Sequence, residues 1–325
     1  MKAIVVMEFG GPEVLRYIEV DMPVIHPDQV LIKVDATSVN FADIKSRYGK
    51  KGTGQLPFIP GLDATGIVTQ VGKNVQKIHI GQRVIAFPSN GTYAEYIVAN
   101  EALTFVIPDE LSVETAAACP IVSFLSYKLL ADIARVEKGE TVLIHAAAGG
   151  VGTTAIQLAK LLGAGRVIGT VGSEEKKQVA LNAGADDVIN YRIEDFPSVV
   201  NEMTQGEGAN IILDSIAGDV SEQSMKCLAQ YGRLVHFGNS SGKVGNFQTA
   251  ELHASCRSVL GFSLGTTRKK RPEQLSYIAE KVIPLIAEGK VTFYVGDQFT
   301  LKEARDAHEL VEGRKSTGKV LLKVT

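Results

Sequence analysis

The sequence predicts an α/β protein in which a doubly wound parallel sheet follows a smaller antiparallel β domain. Short β-rich runs bounded by Gly, Pro, Asn or Asp occupy residues 1 to about 115. From about residue 120, apolar strands alternate with helical segments, which is typical of a parallel sheet. A glycine-rich turn at 147–152 connects the first of these strands to a helix. A length of 325 residues also favours two domains.

The first domain is predicted over residues 1–120. The runs Leu31–Val34, Gly66–Gly72 and Arg83–Phe87 are short, rich in β-branched residues and closely spaced. Because such spacing is typical of antiparallel strands, we expect a barrel-like β domain.

The second domain is predicted over residues 121–289. Its six strands are apolar and separated by helical patterns: Thr141–His145, Val167–Val171, Asp187–Asn190, Ile211–Asp214, Leu234–Phe237 and Ser258–Gly261. A long helix is expected over Pro272–Glu288, with the proline in its first turn. Residues 290–325 revert to strand, helix, strand and are predicted to return to the first domain.

The turn Ala147–Gly152 predicts a dinucleotide site. Gly149 can let the backbone approach a pyrophosphate, and Gly152 can let the following helix pack closely on its strand. The amides at the helix start, from Gly150 and Val151 onward, then face the anion. Ala147 stands where the usual pattern has its first glycine, so an ordinary strand-to-helix turn is the alternative.

The end of the second strand indicates which cofactor is preferred. An NAD site usually has Asp or Glu there, bound to the ribose hydroxyls. This chain has Gly172 and Ser173 instead, and Lys176 follows in the first turn of the next helix. Glu174 and Glu175 are interpreted as solvent-facing acids of that turn. The missing acid favours NADPH.

Composition excludes several classes of protein. The hydrophobic share of 45% and net charge of −2 are ordinary for a soluble globular protein and give no general attraction to nucleic acid. The three cysteines form no close pair, which suits the reducing cytoplasm. We expect no membrane-spanning segment. The basic run Arg268–Arg271 is interpreted as a solvated loop.

Seven motifs, including the turn Ala147–Gly152, occur in a fixed order along the chain: Ser38–Asp43, Pro60–Gly66, Gly81–Val84, Tyr93–Tyr96, Ala147–Gly152, Ala183–Asp186 with Val188–Tyr191, and Phe237–Gly242. In these motifs the chain resembles the quinone oxidoreductase branch, close to zeta-crystallin, of the medium-chain dehydrogenase/reductase superfamily. The resemblance covers essentially the whole chain. It implies an N-terminal GroES-like domain, a Rossmann domain and a substrate cleft between them.

The resemblance also implies roles for individual residues. It places a 2′-phosphate pocket at Ser173, Lys176, Tyr191 and Arg314, and it puts Asn239 and neighbouring backbone near the nicotinamide. Asn40 and Asp43 would border the substrate cleft. Tyr48 is a further candidate there as a proton donor, although an ordinary loop tyrosine is the alternative. The full cofactor-binding set is Ala147, Gly149, Gly150, Val151, Gly152, Gly172, Ser173, Lys176, Tyr191, Phe237, Gly238, Asn239 and Arg314.

Two departures from relatives concern the chemistry. Zinc-dependent relatives carry a histidine ligand where this chain has Leu62, and they carry a cysteine near the position of Asn40. The structural four-cysteine lobe is also missing, so we expect no metal. Relatives often carry a threonine near the nicotinamide where this chain has Leu125, and Ser123 or Ser126 could supply that hydroxyl.

Three functions remain open from the sequence. The first is a zinc-independent, NADPH-dependent reductase of quinones or related conjugated carbonyls. The second is an NADPH-dependent reductase of the double bond in 2-alkenals or enones. The third is a non-catalytic role, either cofactor-gated RNA binding or a crystallin-like role. The resemblance and the β-prone strand Ser258–Gly261 also predict a homodimer formed at a sheet edge.

Overall fold

The computed structural model describes residues 1–50, 55–88 and 91–324. The chain forms two compact units. The first unit combines Met1–Phe124 with Thr267–Thr325, and the second is Leu125–Thr266.

The elements are numbered in chain order. The strands of the described residues are β1 (Lys2–Val6), β2 (Leu15–Glu19), β3 (Gln29–Val39), β4 (Ala64–Val71), β5 (Arg83–Ala86), β6 (Tyr96–Asn100), β7 (Thr104–Val106), β8 (Thr141–Ile144), β9 (Arg166–Val171), β10 (Asp187–Asn190), β11 (Ala209–Asp214), β12 (Leu228–His236), β13 (Ser258–Gly261), β14 (Val295–Thr300) and β15 (Lys319–Lys323). The α-helices are α1 (Phe41–Arg47), α2 (Val113–Tyr127), α3 (Gly150–Leu161), α4 (Glu174–Asn182), α5 (Phe196–Met203), α6 (Asp219–Ser224), α7 (Thr249–Ser255), α8 (Leu264–Lys270), α9 (Glu273–Ala287) and α10 (Ala304–Glu312). Short 3-10 helices cover Pro12–Val14, Glu101–Leu103 and Leu301–Glu303, and a π-helix covers Lys128–Ala134.

The second unit is the predicted doubly wound sheet. Its strands pair in parallel in the order β10-β9-β8-β11-β12-β13. The chain therefore winds outward from β8 to one edge and then from β11 to the other, as in dinucleotide-binding sheets. Buried side chains such as Leu143, Ile168, Ile189 and Leu234 form its core. This order puts the carboxyl ends of β8 and β11 at the point where winding reverses, which is where such sheets bind ligands.

The first unit is built on a largely antiparallel sheet. Its order is β14-β15-β3-β4-β5-β7, and β6 pairs with β3. Near the end of the chain, β15 lies antiparallel to β3 with Val320 opposite Val39. One pair, β14 with β15, is parallel, which the prediction of an antiparallel domain missed. These pairings do not by themselves show the predicted closure into a barrel.

Two sequence-based expectations differ from the structure. Residues 267–289, predicted in the second domain, cluster with the first unit, where α9 contacts the 3-10 helix Glu101–Leu103. The expectation that no segment could span a membrane is wrong by length and composition, since Val113–Ala134 is long and apolar enough. Its most apolar window is 78% buried in the protein, as in the core helix of a soluble protein.

Candidate functional site

The glycine turn of the second unit is shaped to receive an anion. Gly149 caps the N-terminus of α3, and the first amides of that helix, at Gly150, Val151 and Gly152, have no partner within the helix by its geometry. A Cβ on Gly152 would lie 2.4 Å from the carbonyl oxygen of Ala146, so a side chain is excluded there. The closeness of helix and turn therefore depends on this glycine, and the turn fits the pyrophosphate of a dinucleotide.

Ala147 holds the turn on the sheet. Its amide donates to the carbonyl of Thr170 at 3.0 Å, which ties the turn to β9. The preceding residue, Ala146, has a φ of +54°, the left-handed conformation that reverses the chain after β8.

Of the residues predicted to hold a 2′-phosphate, Ser173, Lys176 and Tyr191 lie near the end of β9. Arg314 belongs to the other unit. A Cβ on Gly172 would lie 2.8 Å from Tyr191 Oη, so the absence of a side chain lets the phenol approach. Ser173 caps α4, and the amide of Lys176 donates to its carbonyl at 3.2 Å. Arg314 belongs to the first unit, where it follows α10 with a φ of +55°.

The acids of the first turn of α4 do not take the place of a ribose-binding carboxylate. Glu174 Oε1 accepts from Asn190 Nδ2 at 2.9 Å and forms an ion pair with Lys177 at 3.3 Å. The hydrogen bond from Asn190 lowers the pKa of Glu174, which stays ionised and bound to its neighbours.

The loop after β12 carries the third part of the predicted cofactor set. The amide of Phe237 donates to the carbonyl of Asp214 at 3.0 Å, and Gly238 lies so close to Ser215 that its Cβ would be 3.0 Å from that carbonyl. Asn239 Oδ1 accepts from the amide of Gly242 at 2.7 Å and so closes the loop.

Asp214 was missed by the sequence analysis. It is fully buried at the end of β11, where its carboxylate accepts from the amides of Ile216 at 2.7 Å and Ala217 at 3.1 Å, and from the Ser221 hydroxyl. Burial acts to raise the pKa of Asp214, but His145 and these hydrogen bonds lower it overall. The sequence signal that could have identified Asp214 is a carboxylate at the end of an apolar strand, followed by a turn that contains Gly218.

His145 is a second missed residue, at the end of β8. Because the Ser224 hydroxyl donates to Val220, it must accept from His145 Nε2 at 2.9 Å. His145 Nδ1 then accepts from the Thr170 hydroxyl at 2.8 Å. Burial lowers the pKa of His145 to about 4, so a neutral imidazole bridges the sheet and α6.

Asn40 and Asp43 lie together in the first unit, at the N-terminus of α1. Asp43 Oδ2 accepts from the Asn40 amide at 2.8 Å, which is one half of a capping box. The Asn40 carboxamide also bonds to residues outside α1. Its Nδ2 donates to Asp63 Oδ1 at 2.8 Å, and its Oδ1 accepts from Lys319 Nζ at 3.0 Å.

Asp63 organises the residues around that carboxamide. Besides Asn40, it accepts from the Ser38 hydroxyl at 3.0 Å and from the amide of Ile121 at 3.1 Å. It is fully buried. These bonds make Asp63 a structural hydrogen-bonding residue.

Two cations that the sequence analysis did not assign to a site balance these carboxylates. Burial lowers the pKa of Lys319, and Asp63 and Asp43 act in the opposite direction. Arg268 donates to the carbonyl of Leu62 at 2.8 Å and lies over the Phe87 ring, 5.6 Å from its centroid. The interpretation of Arg268–Arg271 as a solvated loop is wrong, because residues 268–270 lie on α8 and Arg268 is only half-exposed.

Tyr48 ends α1 and is tied to α10. Its hydroxyl donates to Glu312 Oε1 at 2.6 Å, and Arg47 pairs with the other oxygen of Glu312 at 2.5 Å. The bond to Glu312 raises the pKa of Tyr48.

Arg47 begins a second buried chain of bonds. It can only donate, so His308 Nδ1 accepts from it at 3.1 Å and His308 Nε2 donates to Tyr93 Oη at 3.1 Å. Tyr93 in turn donates to Asp43 at 3.4 Å. This chain of bonds connects Arg47, at the C-terminus of α1, to Asp43 in its first turn.

The two serines considered as replacements for the threonine of relatives are already engaged. The Ser123 hydroxyl donates to the carbonyl of Cys119 at 2.8 Å, and that of Ser126 donates to the carbonyl of Val151 at 3.2 Å. Leu125 lies between them on α2 without a hydroxyl.

We expect the free energy of unfolding to fall as the pH drops from about 6.5 towards 4. Burial lowers the pKa of His145 to about 4, and burial with the nearby Arg47 lowers that of His308 to about 3. The unfolded chain then binds protons that the folded protein does not, so the stabilisation is complete above pH 6.5 and is lost below it. Each pKa unit corresponds to about 1.36 kcal/mol, which gives roughly 2–3 kcal/mol per histidine at pH 4.5.

Urea unfolding at pH 7 and pH 4.5 measures this effect. His308→Gln should show a smaller loss between the two pH values than the wild type. An equal loss in both proteins would contradict the assignment of the effect to His308.

Among residues 1–50, 55–88 and 91–324, no group of three or more His, Cys, Asp or Glu side chains is arranged to hold a metal ion. Burial raises the pKa of the Cys119 thiol, which stays protonated.

Comparisons with known proteins agree with this geometry. A model of the alcohol dehydrogenase GroES-like domain matches residues 26–109, and a model described as zinc-binding dehydrogenase matches residues 150–280. A quinone oxidoreductase of Salmonella typhimurium is 38% identical over 322 residues, covering 96% of each chain. The solved structure of Escherichia coli quinone oxidoreductase complexed with NADPH matches all of both chains at 35% identity and a TM-score of 0.94.

A structure described as an NAD-dependent alcohol dehydrogenase also covers all of both chains, at 32% identity and a TM-score of 0.91. The fold is thus shared by proteins described with different cofactors and substrates. The cofactor and substrate of this chain must therefore be argued from individual residues. Identity, coverage and domain models together show that the chain belongs to the quinone oxidoreductase family of the medium-chain dehydrogenase/reductase superfamily.

Proposed function

We propose that this chain is an NADPH-dependent reductase that transfers hydride to quinones or related conjugated carbonyl compounds without zinc. Family membership supports the reaction class. The glycine turn before α3, with its unpaired amides and the excluded side chain at Gly152, fits a dinucleotide. Preference for NADPH is supported by Gly172 and Ser173 in place of an acid, with Lys176 and Tyr191 close by.

The observation that carries the proposal for the acceptor is the environment of Asn40. Its carboxamide is held by Asp63 and Lys319, and the residue before Asp63 is Leu62, where the resemblance implies a histidine ligand in zinc-dependent relatives. Leu62 cannot bind a metal that would act as a Lewis acid, so this environment suits an acceptor that is already activated by its own conjugation.

When bound, NADPH supplies a hydride from C4 of the nicotinamide. Asn40 then provides a hydrogen bond to the acceptor oxygen as negative charge builds there. One Nδ2 proton is held by Asp63. The other lies near the Ser38 carbonyl and hydroxyl, each 3.4 Å away, and such long bonds are readily exchanged for a shorter one.

Asp43 and Tyr48 have supporting roles in this proposal. Asp43 caps α1 and holds the backbone of Asn40 in place. Tyr48 donates to Glu312, and that bond raises its pKa, which argues against proton donation. We therefore assign Tyr48 to fixing the end of α1.

We expect Asn40→Ala to lower turnover of a quinone while leaving NADPH binding intact. Loss of an oxyanion donor costs about 2.7–4 kcal/mol elsewhere, and a quinone that delocalises its charge should lose less. Stopped-flow or steady-state NADPH oxidation gives the rate, and fluorescence titration gives the Kd of NADPH. Unchanged turnover would contradict the role of Asn40.

The proposal includes a homodimer in the cytoplasm. β13 is the end strand of the parallel sheet, so its outer edge is available for pairing with a second copy. The unpaired state of Cys119, Cys227 and Cys256 suits a reducing compartment. Light scattering at micromolar concentration should give twice the chain mass, and a monomer would contradict the dimer.

A further inference from the structure

The buried Lys319 has no place in the function proposed above. It lies at the start of β15 with 4% of its surface exposed, and its ammonium donates to Asn40 Oδ1 at 3.0 Å. Burial of an ammonium is costly, and the nearby carboxylates of Asp63 and Asp43 offset part of that cost. Charge balance alone does not require the ammonium to contact the Asn40 carboxamide, as it does here.

The charges at the two ends of the Asn40 carboxamide suggest a reason for this contact. A carboxamide can rotate to exchange its nitrogen and oxygen, which have nearly the same shape. An ammonium can only donate and a carboxylate can only accept, so Lys319 must face Oδ1 and Asp63 must face Nδ2. The flipped orientation would place donor against donor and acceptor against acceptor.

The ammonium also affects the strength of the amide as a donor. A cation at the oxygen draws electron density from the nitrogen, because hydrogen bonds in a chain polarise one another. The Nδ2 proton that Asp63 does not hold thereby becomes a better donor. That proton is the one assigned to the acceptor oxygen.

We propose that Lys319 is a positioning residue for the reduction, which fixes and polarises the Asn40 carboxamide so that its second Nδ2 proton is presented to the acceptor oxygen. This inference rests on the proposed role of Asn40. Backbone pairing supports it, since Val320 lies opposite Val39 and so brings Lys319 beside Asn40 although 279 positions separate them.

A double-mutant cycle tests the proposal. Lys319→Met should lower kcat for a para-quinone about tenfold and leave the Kd of NADPH unchanged. In the Asn40→Ala background the same change should have no further effect on kcat. Lys319→Gln keeps an N–H donor without the charge and should retain more activity than Lys319→Met. Rates are normalised to folded protein, measured by circular dichroism.

The control is Lys323→Met on the same strand. Lys323 is exposed and lies 3.5 Å from Glu114, so its loss should leave kcat unchanged. If Asn40→Ala alone has no effect, the proposed function of Asn40 fails. If Asn40→Ala lowers kcat and Lys319→Met either has no effect or lowers kcat independently of Asn40, the role of Lys319 is overturned. Should Lys319→Met not fold, the same cycle with Lys319→Gln decides the question.

Discussion

Gly152→Ala should destabilise the second unit and abolish measurable NADPH binding. The new Cβ would lie 2.4 Å from the carbonyl oxygen of Ala146 and 2.6 Å from the Cα of Ala147. Both are backbone atoms, so α3 must move away from the turn that it now touches. Overpacking of this kind costs about 1–3 kcal/mol. The displaced helix amides would no longer converge on a phosphate.

Gly149→Ala is the matched control for that experiment. Its Cβ would meet only the carbonyl oxygen of Ala146, at 3.3 Å, and the backbone of Gly149 suits any residue. The free energy of unfolding should therefore fall less than it does in Gly152→Ala. Thermal unfolding and fluorescence titration with NADPH measure both effects, and equal stability of the two variants would contradict the close packing at Gly152.

Lys176→Ala should weaken NADPH binding by about tenfold or more and change NADH binding little. A charge-assisted hydrogen bond to a phosphate is worth about 1.5–3 kcal/mol, and only NADPH carries the 2′-phosphate. Kd values for both cofactors from fluorescence titration give the ratio. The control is Lys226→Ala, which removes an exposed lysine between α6 and β12. Equal losses for NADPH and NADH would contradict the assignment of Lys176.

The elements that the sequence predicted well are those with a strong local pattern. β10 and β13 were predicted to the residue, because each is a short apolar run closed by turn residues. The pair β1 and β2 was not predicted, although Gly10, Gly11 and Pro12 between the two strands are a turn signal. The parallel pairing of β14 with β15 is decided by tertiary structure and not by local propensity.

The same distinction applies to the candidate site. The glycine turn and the absence of an acid at Gly172 can be read from the sequence, because each is a feature of a few consecutive residues. The partnership of Asn40 with Lys319 is not, because burial of a lysine depends on a strand that arrives from the far end of the chain. Arg268 was misinterpreted for a similar reason, since a basic run is usually solvated and only the fold shows that Arg268 is half-buried and bonded to Leu62.

We propose that this protein reduces conjugated carbonyl acceptors with NADPH and without zinc. The most direct measurement is the rate of NADPH oxidation with ortho- and para-quinones, a 2-alkenal, an enone and cyclohexanone, in metal-free buffer with a chelator. NADP with ethanol and RNA binding are measured on the same preparation. We predict turnover of quinones, no turnover of cyclohexanone or ethanol, and no loss of rate with the chelator. Efficient turnover of cyclohexanone and ethanol with none of the quinones, or activity that the chelator removes together with stoichiometric zinc, would contradict this account.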